Sequence, residues 1–228
     1  MLYVVATPIG NLGDMTVRAI DILKTCDVVF AEDTRVTKKL LTHIGSRAQL
    51  QSYREQNHAR SLPLVRKLLR EGKQLALVSD AGTPGISDPG SRLVRELRTD
   101  GTRITPIPGA SAISTLLSVS GFPSDQFYFA GFPPAKKGRA SFFASAKKIS
   151  VESRSPIIFF ESPHRLRKTL AELVGAFGTD AMCCVGRELT KMFEEIYLGT
   201  LCVYAESLHL GERKPRGEYV IIIAPQGK

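Results

Sequence analysis

QLALVS at residues 74–79 runs straight into DAGTPGISDPG at residues 80–90. The apolar run Leu75, Ala76, Leu77, Val78 does not alternate with polar residues, which marks a strand covered on both faces and hence a parallel sheet. The twelve residues 79–90 hold three glycines, two prolines and two aspartates, more than a simple turn requires. That density predicts backbone held close to a ligand. A helix is expected next, over residues 89–98, with proline near its start.

The same strand–loop–helix unit repeats on either side. Residues 2–6 form a second apolar run, followed by turn-rich residues 7–14 and a helix over 15–25 with Val17, Ile20 and Leu23 toward the core. Residues 28–31 read as a strand and 34–43 as a helix. A weaker strand is expected at 48–53, then a helix carrying Leu62, Leu64, Val65, Leu68 and Leu69 that stops at Gly72. Residues 103–107 and 110–119 add a further strand and helix. Alternating β and α elements imply a mainly parallel sheet with helices on both faces. Residues 121–139, with Pro123, Pro133 and Pro134, break the pattern and read as a linker plus the first strand of a second domain. Beyond it come a helix (139–151), a strand (156–161), a helix (166–177) and strands near 181–187, 194–198 and 218–224. The fold class is therefore α/β in two domains, residues 1–120 with a mainly parallel sheet and residues 121–228 with a smaller mixed one.

Composition narrows the function. Lys and Arg outnumber Asp and Glu by 31 to 22, for a net charge of +9. A polyanionic partner fits that excess, and so does a basic soluble enzyme without one. Of the four cysteines, Cys26, Cys183, Cys184 and Cys202, none forms a C-x-x-C pair or lies at metal spacing from a histidine, so no metal is expected. Reduced cysteines fit the cytoplasm. The N-terminus has no basic and long apolar regions of a secretory signal, and no apolar run is long enough to span a bilayer.

In an open parallel sheet ligands bind at the carboxyl ends of the strands, which directs attention to four segments. Residues 7–14 carry Gly10 and Gly13 without dinucleotide or P-loop spacing, and alone read as an ordinary turn. On the long loop, Asp80 and Asp88 can accept hydrogen bonds from ribose hydroxyls or an amino group, although Asp88 also suits a helix cap. Residues 106–112 (PIPGASA) put small residues at a strand-to-helix junction, where free N–H groups can meet a ligand or Ser111 can cap the helix. Residues 31–35 (AEDTR) set two carboxylates and an arginine at a strand end, for function or for a favourable helix N-terminus.

Together, VATPIGNLGD (5–14), AEDTR, LVSDAGTPGISDPG (77–90) and PIPGASA resemble the tetrapyrrole-methylase-type, class III S-adenosylmethionine-dependent methyltransferases, and within them the branch acting on ribosomal RNA. FESPHR (160–165), RELTK (187–191) and RGE (216–218) extend the likeness over nearly the whole chain. The resemblance implies a homodimer with S-adenosyl-L-methionine between its domains, performing 2′-O-methylation of a cytidine ribose in the decoding region of 16S rRNA in the small subunit. By position it implies cofactor contacts from Pro8, from Asp80, Ala81, Gly82, Thr83 and Pro84, from Ser111 and Ala112, and from Phe160, Glu161 and Leu189. Two departures stand out: Ala110 replaces a frequent proline, and the chain ends at Lys228 where relatives often continue into a basic helical extension, either as a short family member or as a truncated chain.

Methyl transfer to a hydroxyl needs alignment, on the order of 7–11 kcal/mol, and removal of a proton, about 10²–10⁴-fold in rate. The candidate bases are Glu32, Asp33, Glu161 and Glu188, with His164 as a further option, and Glu218 would orient Arg187 or Lys191. An ion-pair scaffold is the alternative for Glu218, Arg187 and Lys191. Phosphate contacts are expected from Arg35, Lys38, Lys39, Arg54 and Arg60, from Lys136, Lys137 and Arg139, and from Arg165 and Lys191. Tyr53 or Phe132 would stack on a splayed base. Two rivals remain open: a methyltransferase of the same fold acting on a tetrapyrrole or protein side chain, and a non-catalytic RNA-binding assembly protein.

Overall fold

The computed structural model describes residues 1–226. The chain divides into two compact units, the first ending at Ser111 and the second beginning at Ala112.

In the first unit, β1 (Leu2–Val5), β2 (Val28–Ala31), β3 (Gln49–Ser52), β4 (Leu75–Val78) and β5 (Ile104–Ile107) form one sheet in the order β3-β2-β4-β1-β5. Every pairing is parallel, with Val28 opposite Leu75 and Leu2 opposite Leu75 and Ile104. β2 and β4 are buried at every residue, as their unbroken apolar runs require, whereas β3 at the edge is mostly exposed. Because side chains alternate along a strand, β2 feeds two cores. Val29 and Ala31 meet α1 (Val17–Thr25) and α2 (Thr34–His43) through Ala19, Leu23, Leu40 and Leu41. Val28 and Phe30 meet α3 (His58–Arg70) and α4 (Ser91–Thr99) through Leu62, Val65, Leu93 and Leu97.

One inward expectation is corrected. Val17 is 75% exposed, because it opens α1 immediately after the Thr16 cap and the buried stripe of that helix is Ala19 and Leu23. Leu64 is likewise exposed, one step off the Ser61, Leu62 and Val65 stripe.

The strand order fixes where a ligand can enter. After β1 the chain leaves toward β2 through α1 on one face; after β4 it leaves toward β5 through α4 on the other. The connections diverge between β1 and β4, and a crevice opens at the carboxyl ends of those two strands.

The second unit opens with α5 (Ala112–Ser120), which packs on its sheet. Grouping this helix with the first half by alternation of elements misses that contact. Gly186 lets it approach, since a Cβ there would lie 2.9 Å from Leu116. The sheet runs β6 (Tyr128–Gly131), β7 (Ile157–Glu161), β10 (Tyr219–Ile223), β8 (Met182–Arg187), β9 (Glu195–Thr200) in spatial order. Only β6 and β7 pair in parallel. α6 (Arg139–Ser153), α7 (Leu166–Phe177) and α8 (Leu201–His209) cover a single core around Phe143, Phe159, Leu170, Leu173 and Tyr204. The sequence reading leaves α8 unassigned. It follows β9 without a loop, since Thr200 serves both as the last strand residue and as the helix cap.

Among the described residues, no helix is long and apolar enough to cross a membrane.

Candidate active site

The loops after β1 and β4 are stitched together at the crevice. Thr7 N–H donates to Gly82 O at 2.9 Å and Gly82 N–H returns to Thr7 O at 3.1 Å. The buried Thr7 hydroxyl donates to Ser79 O at 3.2 Å. Gly82 adopts φ +73°, a conformation open to glycine at little cost. The PIPG turn closes on the same point, for a Cβ on Gly109 would lie 2.9 Å from that of Ala6. The rim thus brings together Pro8, residues 80–84 and Ser111. Asp80 and Ala81 are exposed, Pro8, Thr83 and Ser111 half-buried, and Gly82 and Pro84 buried. Sequence reading gave Thr7 no role, because a threonine at a strand end carries no distinctive pattern.

The long loop is also held from outside. Glu55 accepts the N–H of Gly90 at 3.0 Å, and Gly90, not Asp88, is the residue that caps α4.

AEDTR lies beside this rim, at the end of β2. Asp33 serves as the cap of α2, accepting from Arg35 N at 2.8 Å, and its carboxylate also takes the Arg35 guanidinium at 2.5 Å. These hydrogen bonds hold its carboxyl well below the usual carboxylate range, which makes Asp33 a poor proton acceptor. The backbone N–H of Asp33 donates to Asp80 Oδ1 at 2.9 Å, so the two strand ends are tied. Glu32 is different. No cation forms an ion pair with it among the described residues, and Arg54 spends its Nε on the Glu32 carbonyl at 2.9 Å. Burial, then the charges of Asp80 and Asp88, push the Glu32 carboxyl up.

The second-half motifs build scaffolds. Glu161, expected as a base and cofactor contact, is 1% exposed. It accepts from Arg165 at 2.8 Å, Ser162 N at 2.7 Å and Thr169 Oγ1 at 2.5 Å. Arg139, expected on phosphate, is 4% exposed and is enclosed by Glu172, Thr169 and Pro134 O over the Phe143 ring. Arg165 is committed to Glu161 and to Pro133 O. This network pins the proline segment to α7. Thr169, eight positions past Glu161, links the two charges and has no signature of its own. Around RELTK, Lys191 bridges Glu188 at 2.7 Å and Glu218 at 2.9 Å, whereas Arg187 pairs with Glu195. Burial works against the charge on Glu188, but Lys191 and the Glu218 N–H outweigh it and hold the carboxyl low. Gly217 (φ +74°) leaves the room this needs, since a Cβ there would run into the Glu188 carboxyl. Leu189 is buried between two left-handed residues, Glu188 (φ 49°) and Thr190 (φ 67°).

A family model for tetrapyrrole (corrin/porphyrin) methylases matches residues 1–202. The chain belongs to the tetrapyrrole methylase family. Relatives bearing the name ribosomal RNA small subunit methyltransferase I are close in sequence. That of Mesorhizobium japonicum is 46% identical over 98% of this chain and 75% of its own length. That of Thermotoga maritima is 41% identical over 98% of this chain and 97% of its own. Among solved structures, a cobalt precorrin-4 methyltransferase superposes with TM-score 0.70 at 18% identity, covering 97% of this chain and 93% of that one. Uroporphyrin-III-C-methyltransferase from Thermus thermophilus gives 0.65 at 20%, with the same coverage. At that identity these two speak for the fold alone.

In this methylase the remaining predicted cations are exposed: Arg35, Lys38 and Lys39 on α2, Arg54 and Arg60 nearby in sequence, and Lys136 and Lys137 before α6. Tyr53 is 0% exposed and bonded to His58 Nδ1 at 2.9 Å, so it offers no stacking face; Phe132, 51% exposed, does. Phe160 is half-buried and packs edge-on against Phe129 and Phe132. His164 is exposed in the turn before α7. Among the described residues no three His, Cys, Asp or Glu side chains are grouped to hold a metal.

Proposed function

We propose that this methylase transfers a methyl group from S-adenosyl-L-methionine to the 2′-oxygen of a cytidine ribose in the decoding region of 16S rRNA, within the small ribosomal subunit. The observation that carries the reading is the rim of residues 7–8, 80–84 and 108–111 at the diverging strands, in a chain 41–46% identical to several ribosomal RNA small subunit methyltransferases I. The donor set suits the cofactor. Asp80 keeps one carboxylate oxygen beyond the Asp33 N–H, small residues and backbone N–H groups line the rim, and Glu32, Asp80 and Asp88 bias the site toward a cationic ligand.

The sulfonium supplies an already activated methyl group. The work left to the chain is to bind, orient and remove one proton. Glu32 is the acceptor in this reading, because Asp33, Glu161 and Glu188 are each neutralised by a cation. Glu32 would take the 2′-hydroxyl proton and release it to water, while the bound sulfonium would supply the methyl group, its S–CH3 bond breaking as O–CH3 forms, and leave as the neutral thioether S-adenosyl-L-homocysteine. Arg35, Lys38, Lys39, Arg54 and Arg60, with Lys136 and Lys137, meet RNA phosphates. The exposed Ile196 and Leu198 on edge strand β9, beside Met182, fit a second copy of the chain and so a homodimer. The setting is the cytoplasm.

The test is transfer of labelled methyl to small subunits lacking the modification, with mapping of the labelled nucleotide. Label on a ribose 2′-oxygen in the decoding region is the expected result. Cofactor binding with no labelled RNA refutes the assignment and turns the search to tetrapyrroles or protein side chains.

A further inference from the structure

The layer of the first unit formed by α3 and α4 lies outside the motifs above and contributes only Arg60 to the phosphate contacts already proposed. Its two helices carry Arg60, Arg66, Arg70, Arg92, Arg95 and Arg98, together with Lys67, against one carboxylate within the helices, Glu96. Glu71 and Asp100 cap their ends. Helix stability does not account for these charges. Cations favour the last turn, which suits Lys67, Arg70 and Arg98, but Arg60 lies in the first turn of α3 and Arg92 in the first turn of α4, where the helix dipole opposes them. Among the described residues, the ion pairs of these cations are Arg66 to Asp100 at 2.6 Å, Arg92 to Glu96 at 3.2 Å and Lys67 to Glu71 at 3.9 Å, all on the surface. Arg60, Arg70, Arg95 and Arg98 have no ion pair among the described residues and are exposed. Arg92, Arg95 and Arg98 recur every third residue and form one row of about 9 Å along α4.

We propose that the α3–α4 face is a second RNA-docking surface, gripping the phosphate backbone of the ribosomal substrate away from the crevice. The inference rests on the rRNA reading given above. Arginine rather than lysine dominates the row, and the guanidinium fork matches phosphate oxygens bidentately. The layer also adds charge where the substrate is larger than any crevice, and phosphate contacts position a partner without reading its sequence. An anionic membrane is the weaker fit, since Leu64 is the one large apolar side chain exposed on the two helices.

The experiment measures affinity for purified small subunits lacking the modification, between about 50 and 200 mM salt. The proteins are the full chain, the double variant Arg95→Glu/Arg98→Glu, and Lys147→Glu/Lys148→Glu on α6 as a control of equal charge change. Cofactor affinity is read in parallel. The α4 variant is expected to bind subunits at least ten-fold more weakly, with its log–log salt slope reduced by roughly 1.4–1.8 for two lost phosphate contacts, and cofactor affinity within two-fold of the parent. An unchanged slope, or an equal loss in the α6 control, overturns the proposal. So does loss of binding to anionic phospholipid vesicles with subunit affinity intact. Failure of the parent protein itself to bind subunits refutes the rRNA reading and this face with it, whereas parent binding with an unaffected α4 variant refutes the face alone.

Discussion

Replacing Thr169 by valine keeps the side-chain shape and removes one hydroxyl. That hydroxyl accepts from Arg139 at 2.7 Å and donates to Glu161 at 2.5 Å, in a site where both charged residues are under 5% exposed. The substitution strands a buried guanidinium N–H and a buried carboxylate oxygen together. A hydrogen bond to a charged group contributes about 1.5–3 kcal/mol, and the added methyl returns about 0.8 kcal/mol. A net loss of about 2–5 kcal/mol follows. At roughly 2–4 °C per kcal/mol for a chain of this size, the melting temperature falls by about 4–20 °C. The chain has no tryptophan, so the measurement is urea and thermal unfolding followed by helical circular dichroism. Thr169→Ser keeps the hydroxyl and stays within about 1 kcal/mol of the parent, the cost of one methyl. A valine variant within about 0.5 kcal/mol of the parent, or a serine variant as unstable as valine, shows that the network does not hold the second unit as described.

Glu32→Gln lowers methyl transfer by about 10²–10⁴-fold while calorimetry finds cofactor binding retained; undiminished turnover removes Glu32 as the base. The same variant separates pH effects. The Glu32 carboxyl is raised in the fold, so its contribution to stability is present at acid pH and is lost as pH rises through the raised value. Melting of the parent relative to Glu32→Gln therefore worsens from pH 4.5 upward, and a constant difference contradicts the assignment. Gly217→Ala meets both a left-handed backbone and the Glu188 carboxyl, and costs about 1–3 kcal/mol by chemical denaturation. Burial raises the thiols of Cys26 and Cys184 to about 11 and that of Cys183 to about 12. Mass spectrometry after alkylation of the native protein at pH 8 finds label on Cys202 alone; modification of Cys183 without unfolding contradicts the burial.

The strands and helices of the first unit were legible because continuous apolar runs and Gly/Pro loops report directly on a buried parallel sheet. The order of the strands was not, since nothing local in residues 2–5 says that they pair with residues 75–77. The crevice loops were visible as composition, but their stitching through Thr7 is a tertiary fact. Charged motifs misled most. Glu161 and Arg139 look like chemistry in a one-dimensional reading, and only burial and partners show them satisfying each other's neighbourhood. AEDTR shows the same ambiguity at finer grain: adjacent carboxylates, one consumed as a helix cap and the other without an ion pair among the described residues.

The strand order has a consequence for how the chain acquires its structure. β2 and β3 are neighbours in sequence and in space, and can pair early across a short connection. Among the described residues β1 pairs with β4 and β5, so residues 2–5 wait without a sheet partner until residue 75 has been synthesised. Contacts so distant in sequence form slowly, and during vectorial synthesis the apolar strand β1 is exposed for that interval. The loops after β1 and β4 come together only when this late pairing closes. A ribosome stalled before β4 would hold a chain with helices but no crevice, and binding competence would arrive as one of the last events of folding.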